Sequence, residues 1–191
     1  MLDRIIQWDQ ELSLILNSKG SEVYDVFWVF ISDTKSAIPL FLLIIYFLIK
    51  KQGIAFWKGL VIILFTVALA DFISVHCFKN VFMRYRPCND PDLINLFFLP
   101  KGISKGGLYG FVSSHAANFF AIAGIVSALL SERKYMTYLL YSWASLVAYS
   151  RIYVGKHYLL DVIGGALLGF VIAKVIWHFV KKIKEKYTLA L

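Results

Sequence analysis

Hydrophobic positions along the chain gather into five long apolar runs, at residues 36–49, 54–78, 111–130, 135–149 and 158–180, each bounded by charged or turn-forming residues. Runs of this length predict membrane-crossing helices. The first is the exception: about 14 residues at 1.5 Å each fall short of a ~30 Å hydrocarbon layer. It needs an N-terminal extension or a thinned bilayer. The pattern therefore predicts an all-α integral membrane helical bundle of five transmembrane helices, or six if residues 23–31 insert separately. Residues 1–35 read differently. Ile5, Ile6, Leu12, Ile15 and Leu16 recur at helical spacing among charges, as in an amphipathic segment lying along the membrane surface. Gly20 and Ser21 interrupt it. The expected division is an N-terminal interfacial segment, 1–35, and a membrane-embedded domain, 36–191.

Composition agrees with this reading. A length of 191 residues fits one domain, and 59% hydrophobic residues is well above the soluble average. Trp57, Phe111, Tyr149 and Tyr158 stand where apolar runs end, as interfacial anchors do. The formal charge of +8 does not indicate nucleic acid, because the basic residues flank apolar segments instead of lining one soluble stripe. Two cysteines, Cys77 and Cys88, cannot build a disulfide framework or a four-ligand zinc site, and leave open a single bridge or two free thiols. The opening residues lack the basic, apolar and small-residue succession of a cleaved signal.

Charge placement sets an orientation. Lys50, Lys51 and Lys58, then Arg133 and Lys134, then Lys181, Lys182, Lys184 and Lys186 share one side if five spans alternate, and by the positive-inside bias that side is cytoplasmic. Residues 1–35 carry six acidic and three basic side chains, in keeping with the outer side. Against the bias, seven basic residues fall outside: Lys79, Arg84, Arg86, Lys101, Lys105, Arg151 and Lys156. Snorkelling is enough for Lys101 or Lys105. It does not explain the others, which cluster around serines and histidines.

Three segments hold that cluster. Lys79 and Arg86 are seven positions apart, so on a continuing helix ended by Pro87 both would face one way, a point charge and a planar fork suited to one phosphate. Ser113, Ser114 and His115 stand where the long 88–110 connection meets an apolar helix, and a serine N-cap with first-turn amides makes an anion site. A plain capping serine followed by an interfacial histidine fits that segment as well. Ser150 and Arg151 close the fourth span. His157 opens the fifth, with Asp161 at i+4, where a carboxylate can fix the imidazole tautomer and leave the other nitrogen to attack. Asp71 and His76 read as intramembrane polar groups that pair inside the bundle instead of reacting, and Gly165 with Gly169 as a small-residue helix contact. The 88–110 connection, rich in Gly and Pro, reads as a binding loop or lid.

In this order Lys-x6-Arg-Pro, Ser-x-His and Ser-Arg-x5-His resemble the three signature motifs of the type-2 phosphatidic acid phosphatase family, whose wider superfamily includes vanadium haloperoxidases. The resemblance implies a membrane-embedded phosphatase domain in which His157 is the nucleophile that forms a phosphohistidine, Asp161 supports it, and His115 protonates the leaving oxygen and later activates water. It implies phosphate binding by Lys79, Arg86, Ser113, Ser114 and Arg151, without a metal or other cofactor. Two departures stand out: Val112-Ser113-Ser114-His115 replaces the usual Pro-Ser-Gly-His, and the family's usual six helices exceed the five counted. The expected function is hydrolysis of a lipid mono- or diphosphate (lipid A, undecaprenyl diphosphate, phosphatidylglycerol phosphate or phosphatidic acid) in a bacterial-type inner membrane, with the site facing the periplasm. The partners expected are that phospholipid, isoprenoid or lipid A substrate and the surrounding membrane lipids, with no nucleic acid and no protein partner. The alternatives are a phosphotransferase on the same site and a non-catalytic protein that binds anionic lipid.

Overall fold

The computed structural model describes residues 1–17 and 22–187. Among them regular structure is helical, apart from one antiparallel bridge between Tyr85 and Tyr109. The interruption expected at Gly20 and Ser21 lies outside the described residues. Two helices open the chain, α1 (Leu2–Asn17) and α2 (Glu22–Ser32). A 3-10 turn, Thr34–Ala37, leads into α3 (Ile38–Gln52) and supplies the N-terminal extension that the short first run required. Together these make a helical rod of about 28 Å.

Residues Thr34–Phe82 form a 49-residue helical stretch, 18 consecutive residues of which reach a mean hydropathy of 2.3. One straight helix of that length would exceed twice the hydrocarbon thickness. Gly53 resolves this: its φ of 55° breaks the helix, and α4 (Phe56–Ile73) packs back on α3. Past α4 comes a wider π-helical turn, Ser74–Lys79, and a last helical turn, α5 (Asn80–Phe82), that ends on Met83 at φ 44°. The remaining helices are α6 (Ser114–Leu129), α7 (Lys134–Tyr153) and α8 (Leu159–Tyr187). Residues Leu159–Lys186 form the second stretch long and apolar enough to cross a membrane. Ser114–Leu129 is apolar but shorter, and Val23–Ser32 shorter still. At 11 residues, α2 is about 16 Å long, too short to cross alone, and it lies against α7.

Helix α6 is the axis, touching α4, α7 and α8. Its closest partner is α8, and small residues explain why. Side chains at Gly165 and Gly169 would collide with the Ser113 and Ala117 carbonyls of α6, so the backbones approach as the small-residue spacing predicted. Elsewhere α6 buries Phe119, Ile122, Ile125, Val126 and Leu129 in a cluster with Leu48, Met136 and Leu140. Helix α1 is turned the other way: Ile5, Trp8, Leu12 and Ile15 are exposed, while Asp9, Ser13 and Asn17 are buried. An exposed apolar stripe over a buried polar one is the reverse of a soluble amphipathic helix.

Candidate active site

At the end of the bundle where α6 and α8 begin, the residues singled out by spacing converge, though not all by the route expected. Lys79 closes the π-helical turn and donates from Nζ to Ser114 Oγ, which also shares a 2.7 Å hydrogen bond with Ser74 Oγ. Arg86 is not on the same helix. The helix ends at Phe82, and the chain turns at Met83 into an extended strip, in which Arg86 N donates to Leu108 O and Gly110 N to Arg84 O. The expectation of one helix running from Lys79 to Pro87 is therefore corrected: a left-handed residue stops it four positions early, and pairing with 108–110 brings Arg86 back toward the site. Its guanidinium donates from Nε to the Tyr109 carbonyl at 3.1 Å and from NH1 to the Lys105 carbonyl at 3.4 Å.

Ser113 is the N-cap of α6 and accepts from Ala116 N, as predicted; its own amide donates to the Asp161 carbonyl at 2.9 Å, fastening α6 to α8. Ser114 and His115 form the first turn. His115 lies within electrostatic range of Lys79, Arg151, Lys156 and His157. It also borders a crevice of about 130 Å³ lined by Thr34, Phe41, Val67, Asn118, Phe119 and Ile122. On α7, Arg151 is buried and donates to the Ser32 carbonyl and hydroxyl, with its Nε buried and unpartnered.

His157 lies in the α7–α8 connection, 2% exposed, and its Nδ1 is 3.4 Å from Asp161 Oδ2. The distance is short enough for an orienting contact, but the alignment falls short of a hydrogen bond. Burial holds His157 well below the usual imidazole range, reinforced by the positive charges of Arg86, Arg151, Lys79 and Lys156. The ring is thus neutral at pH 7, the form a nucleophile needs. Lys156 beside it is lowered by burial and by Arg151 and Arg86. Each oxygen of Asp161 accepts one hydrogen bond: Oδ1 from Arg84 at 2.9 Å and Oδ2 from Tyr158 N at 3.0 Å.

Several residues at this end carried no assigned role in the sequence reading. Arg84 stood among the outer basic residues without a function. Gly110 looked like one loop glycine of several, yet a Cβ there would lie 2.9 Å from Asp161 Oδ2, 3.2 Å from Arg86 Cγ and 3.4 Å from His157 Nδ1. Asp9, Ser13 and Asn17 recur every fourth residue on α1, a polar stripe beside the more conspicuous apolar one.

The 88–110 connection is tied down. Cys88 N donates to Gly155 O, and Phe98 N donates to Asn17 Oδ1 at 2.6 Å. Gly155, at φ 68°, leaves room for the Phe98 carbonyl, which a Cβ would meet at 2.7 Å. Phe97 packs edge-on to Tyr158, and Phe98 to Tyr153. Cys77 is exposed and Cys88 buried, and both are free thiols; burial raises the Cys88 thiol. Asp71 is exposed and accepts from Asn118, while His76 stacks on Phe72 and contacts its carbonyl. The expected pairing inside the bundle is therefore corrected: both side chains lie on its outer surface, Asp71 against Asn118 and His76 against Phe72.

A family model described as the PAP2 superfamily matches residues 59–185, the stretch that holds all three motifs. The chain is 31% identical over 185 residues to a lipid A 4'-phosphatase of Porphyromonas gingivalis, covering 95% of this chain and 75% of that one. It is 30% identical over 174 residues to a lipid A 4'-phosphatase of Bacteroides thetaiotaomicron, covering 88% and 75%. Among solved structures the fold resembles the transmembrane PAP2 type phosphatidylglycerolphosphate phosphatase of Bacillus subtilis, with a TM-score of 0.74, 21% identity, and coverage of 95% of this chain and 88% of that one. It also resembles Aquifex aeolicus LpxE, with a TM-score of 0.59, 25% identity, and coverage of 87% and 92%.

Proposed function

Since the chain belongs to the PAP2 superfamily and is a membrane lipid phosphatase of that family, we propose that it removes a phosphate from lipid A or a similarly bulky, multiply charged lipid at the outer face of a bacterial inner membrane, through a phosphohistidine on His157. The observation that carries the reading is the convergence of a buried, neutral His157, an Asp161 held by Arg84 and the Tyr158 amide, and the cations Lys79, Arg86 and Arg151 at one end of the bundle. His157 Nε2 attacks phosphorus as the bond from phosphorus to the leaving oxygen breaks, and His115 gives that oxygen its proton. Water, activated by His115, then takes the phosphoryl group from His157. The developing charge on the phosphoryl oxygens meets Lys79, Arg86, Arg151, the Ser113 hydroxyl and the first-turn amide at Ser114. These cations stand in the place a metal would otherwise take.

The preference for lipid A draws on the names of the relatives and on the surface beside the site. Between α2 and the 88–110 connection lies a cavity of about 600 Å³, lined by Asp25, Val26, Val29, Phe30, Phe98, Leu99, Pro100 and Lys101, which combines apolar walls with one carboxylate and one cation. Phe97 packs on Tyr158 and Phe98 on Tyr153, which holds the loop in place. The exposed apolar face of α1 suits the membrane interface. Phosphate release by the purified protein from lipid A, undecaprenyl diphosphate, phosphatidylglycerol phosphate and phosphatidic acid tests the reading. Lipid A is expected to have the highest kcat/KM. Faster turnover of phosphatidic acid would reject the preference, and transfer of phosphate only to an added lipid acceptor would reject hydrolysis.

A further inference from the structure

The first amides of α8 are capped in an unusual way. Tyr158 precedes the helix and offers no side-chain acceptor, yet Leu159 N donates to Ser13 Oγ at 2.8 Å and Leu160 N to Asp9 Oδ1 at 2.8 Å, both from α1. Asn17, one turn on, donates to the carbonyls of Ile152 and Tyr153 at the end of α7, at 3.2 and 2.7 Å. The inward stripe of α1 therefore satisfies the orphaned groups on both sides of the connection that carries His157. Asp9 does more. Its Oδ2 is 2.6 Å from Arg84 NH2, and Arg84 NH1 is 2.9 Å from Asp161 Oδ1, with the guanidinium carbon 4.1 Å over the Tyr158 ring. Both terminal nitrogens of Arg84 are thus spent on buried carboxylates.

We propose that Asp9 and Arg84 are positioning residues: together they hold Asp161 in place and set the net charge that it presents to His157. The inference rests on His157 being the nucleophile. Asp161 alone would offer one negative charge to the imidazole; Arg84 cancels it, and Asp9 restores it. As His157 Nε2 bonds to phosphorus, the ring becomes cationic, so a net negative group beside Nδ1 stabilises the transition state more than the ground state. Substrate affinity, which depends on Lys79, Arg86 and Arg151, is left alone. Arg84 therefore differs in role from Arg86, although the two lie two residues apart in one motif.

Asp9→Asn keeps an acceptor for Leu160 N and removes the charge, which makes it the decisive variant. In detergent micelles with a short-chain lipid phosphate, it is expected to lower kcat about tenfold while KM stays within about twofold, the scale seen when a functional imidazole loses its orienting shell. Asp9→Glu restores most of the loss. Arg84→Ala makes the group beside His157 more negative but frees Asp161 from its anchor, so kcat falls at least as far through lost position, and the double variant is no worse than Arg84→Ala alone, because both act through one chain of contacts. Gln7→Ala, on the exposed face of the same helix, leaves both constants unchanged. If Asp9→Asn accumulates too poorly to assay, guanidinium ion added to Arg84→Ala carries the same test, and recovery of kcat is expected. A kcat for Asp9→Asn within twofold of wild type, a change in KM instead of kcat, additive losses in the double variant, or no recovery with guanidinium would each overturn the proposal. His157→Ala is run beside them: if it still turns over, the nucleophile assignment itself falls, whereas an inactive His157→Ala with a normal Asp9→Asn removes this inference alone.

Discussion

At one end of the bundle Leu48, Ile125, Val126, Met136 and Leu140 bury against one another in a cluster of apolar side chains. At the other end the buried side chains include the polar Asp9, Ser13, Asn17, Ser113, Arg151, His157 and Asp161. The first end is held by burial of hydrocarbon, worth about 25 cal/mol per Å² and indifferent to direction. The second is held by hydrogen bonds and ion pairs whose value depends on each polar group having its partner. A methyl group lost at the apolar end costs stability. A partner lost at the polar end costs geometry, and the geometry at that end is what a phosphoryl transfer would use.

That contrast can be broken most severely at His157. His157→Ala is expected to lower kcat by on the order of 10³ or more while the chain remains folded, checked by phosphate release beside far-UV circular dichroism. Gly110→Ala comes next. The added methyl meets Asp161, Arg86 and His157 at once, and a displacement of under an ångström at reacting groups supports a loss of about 10- to 100-fold in kcat/KM. Met136→Ala should show the reverse pattern at the apolar end. Fully buried, it is expected to cost about 2–5 kcal/mol of stability, read as a lower melting midpoint, with kcat/KM per folded molecule within about twofold. The smallest effect is expected from chelator. Activity should persist in EDTA and be inhibited by vanadate, and a loss restored by magnesium would mean that the cations of the polar end do not suffice.

The same contrast explains what was legible in the sequence. The helices around the apolar end follow from hydropathy: the runs at 54–78, 111–130 and 158–180 overlie α4, α6 and α8, and the small-residue contact at Gly165 and Gly169 is where spacing placed it. The three motifs were legible because charge and imidazole in an apolar context are costly without a purpose. The supporting contacts were not. Asp9 and Asp161 are linked across 152 positions by one arginine, and no local period marks such a bond. Likewise the break at Met83 depends on the pairing of 84–86 with 108–110, a tertiary contact that overrides helical continuation from Lys79. Helix α1 was recognised as amphipathic, but the apolar stripe was the conspicuous one, and in a membrane protein the polar stripe is the one that packs inward.

The central claim is that His157 becomes covalently phosphorylated. Rapid acid-free quenching of the purified protein with lipid labelled at phosphorus, followed by peptide mass spectrometry under alkaline conditions, reads it directly. The account predicts an acid-labile phosphoryl group on the peptide containing His157, formed at a rate no slower than turnover and absent from His157→Ala. Label on another residue, or full turnover with no labelled intermediate at any time point, would contradict it.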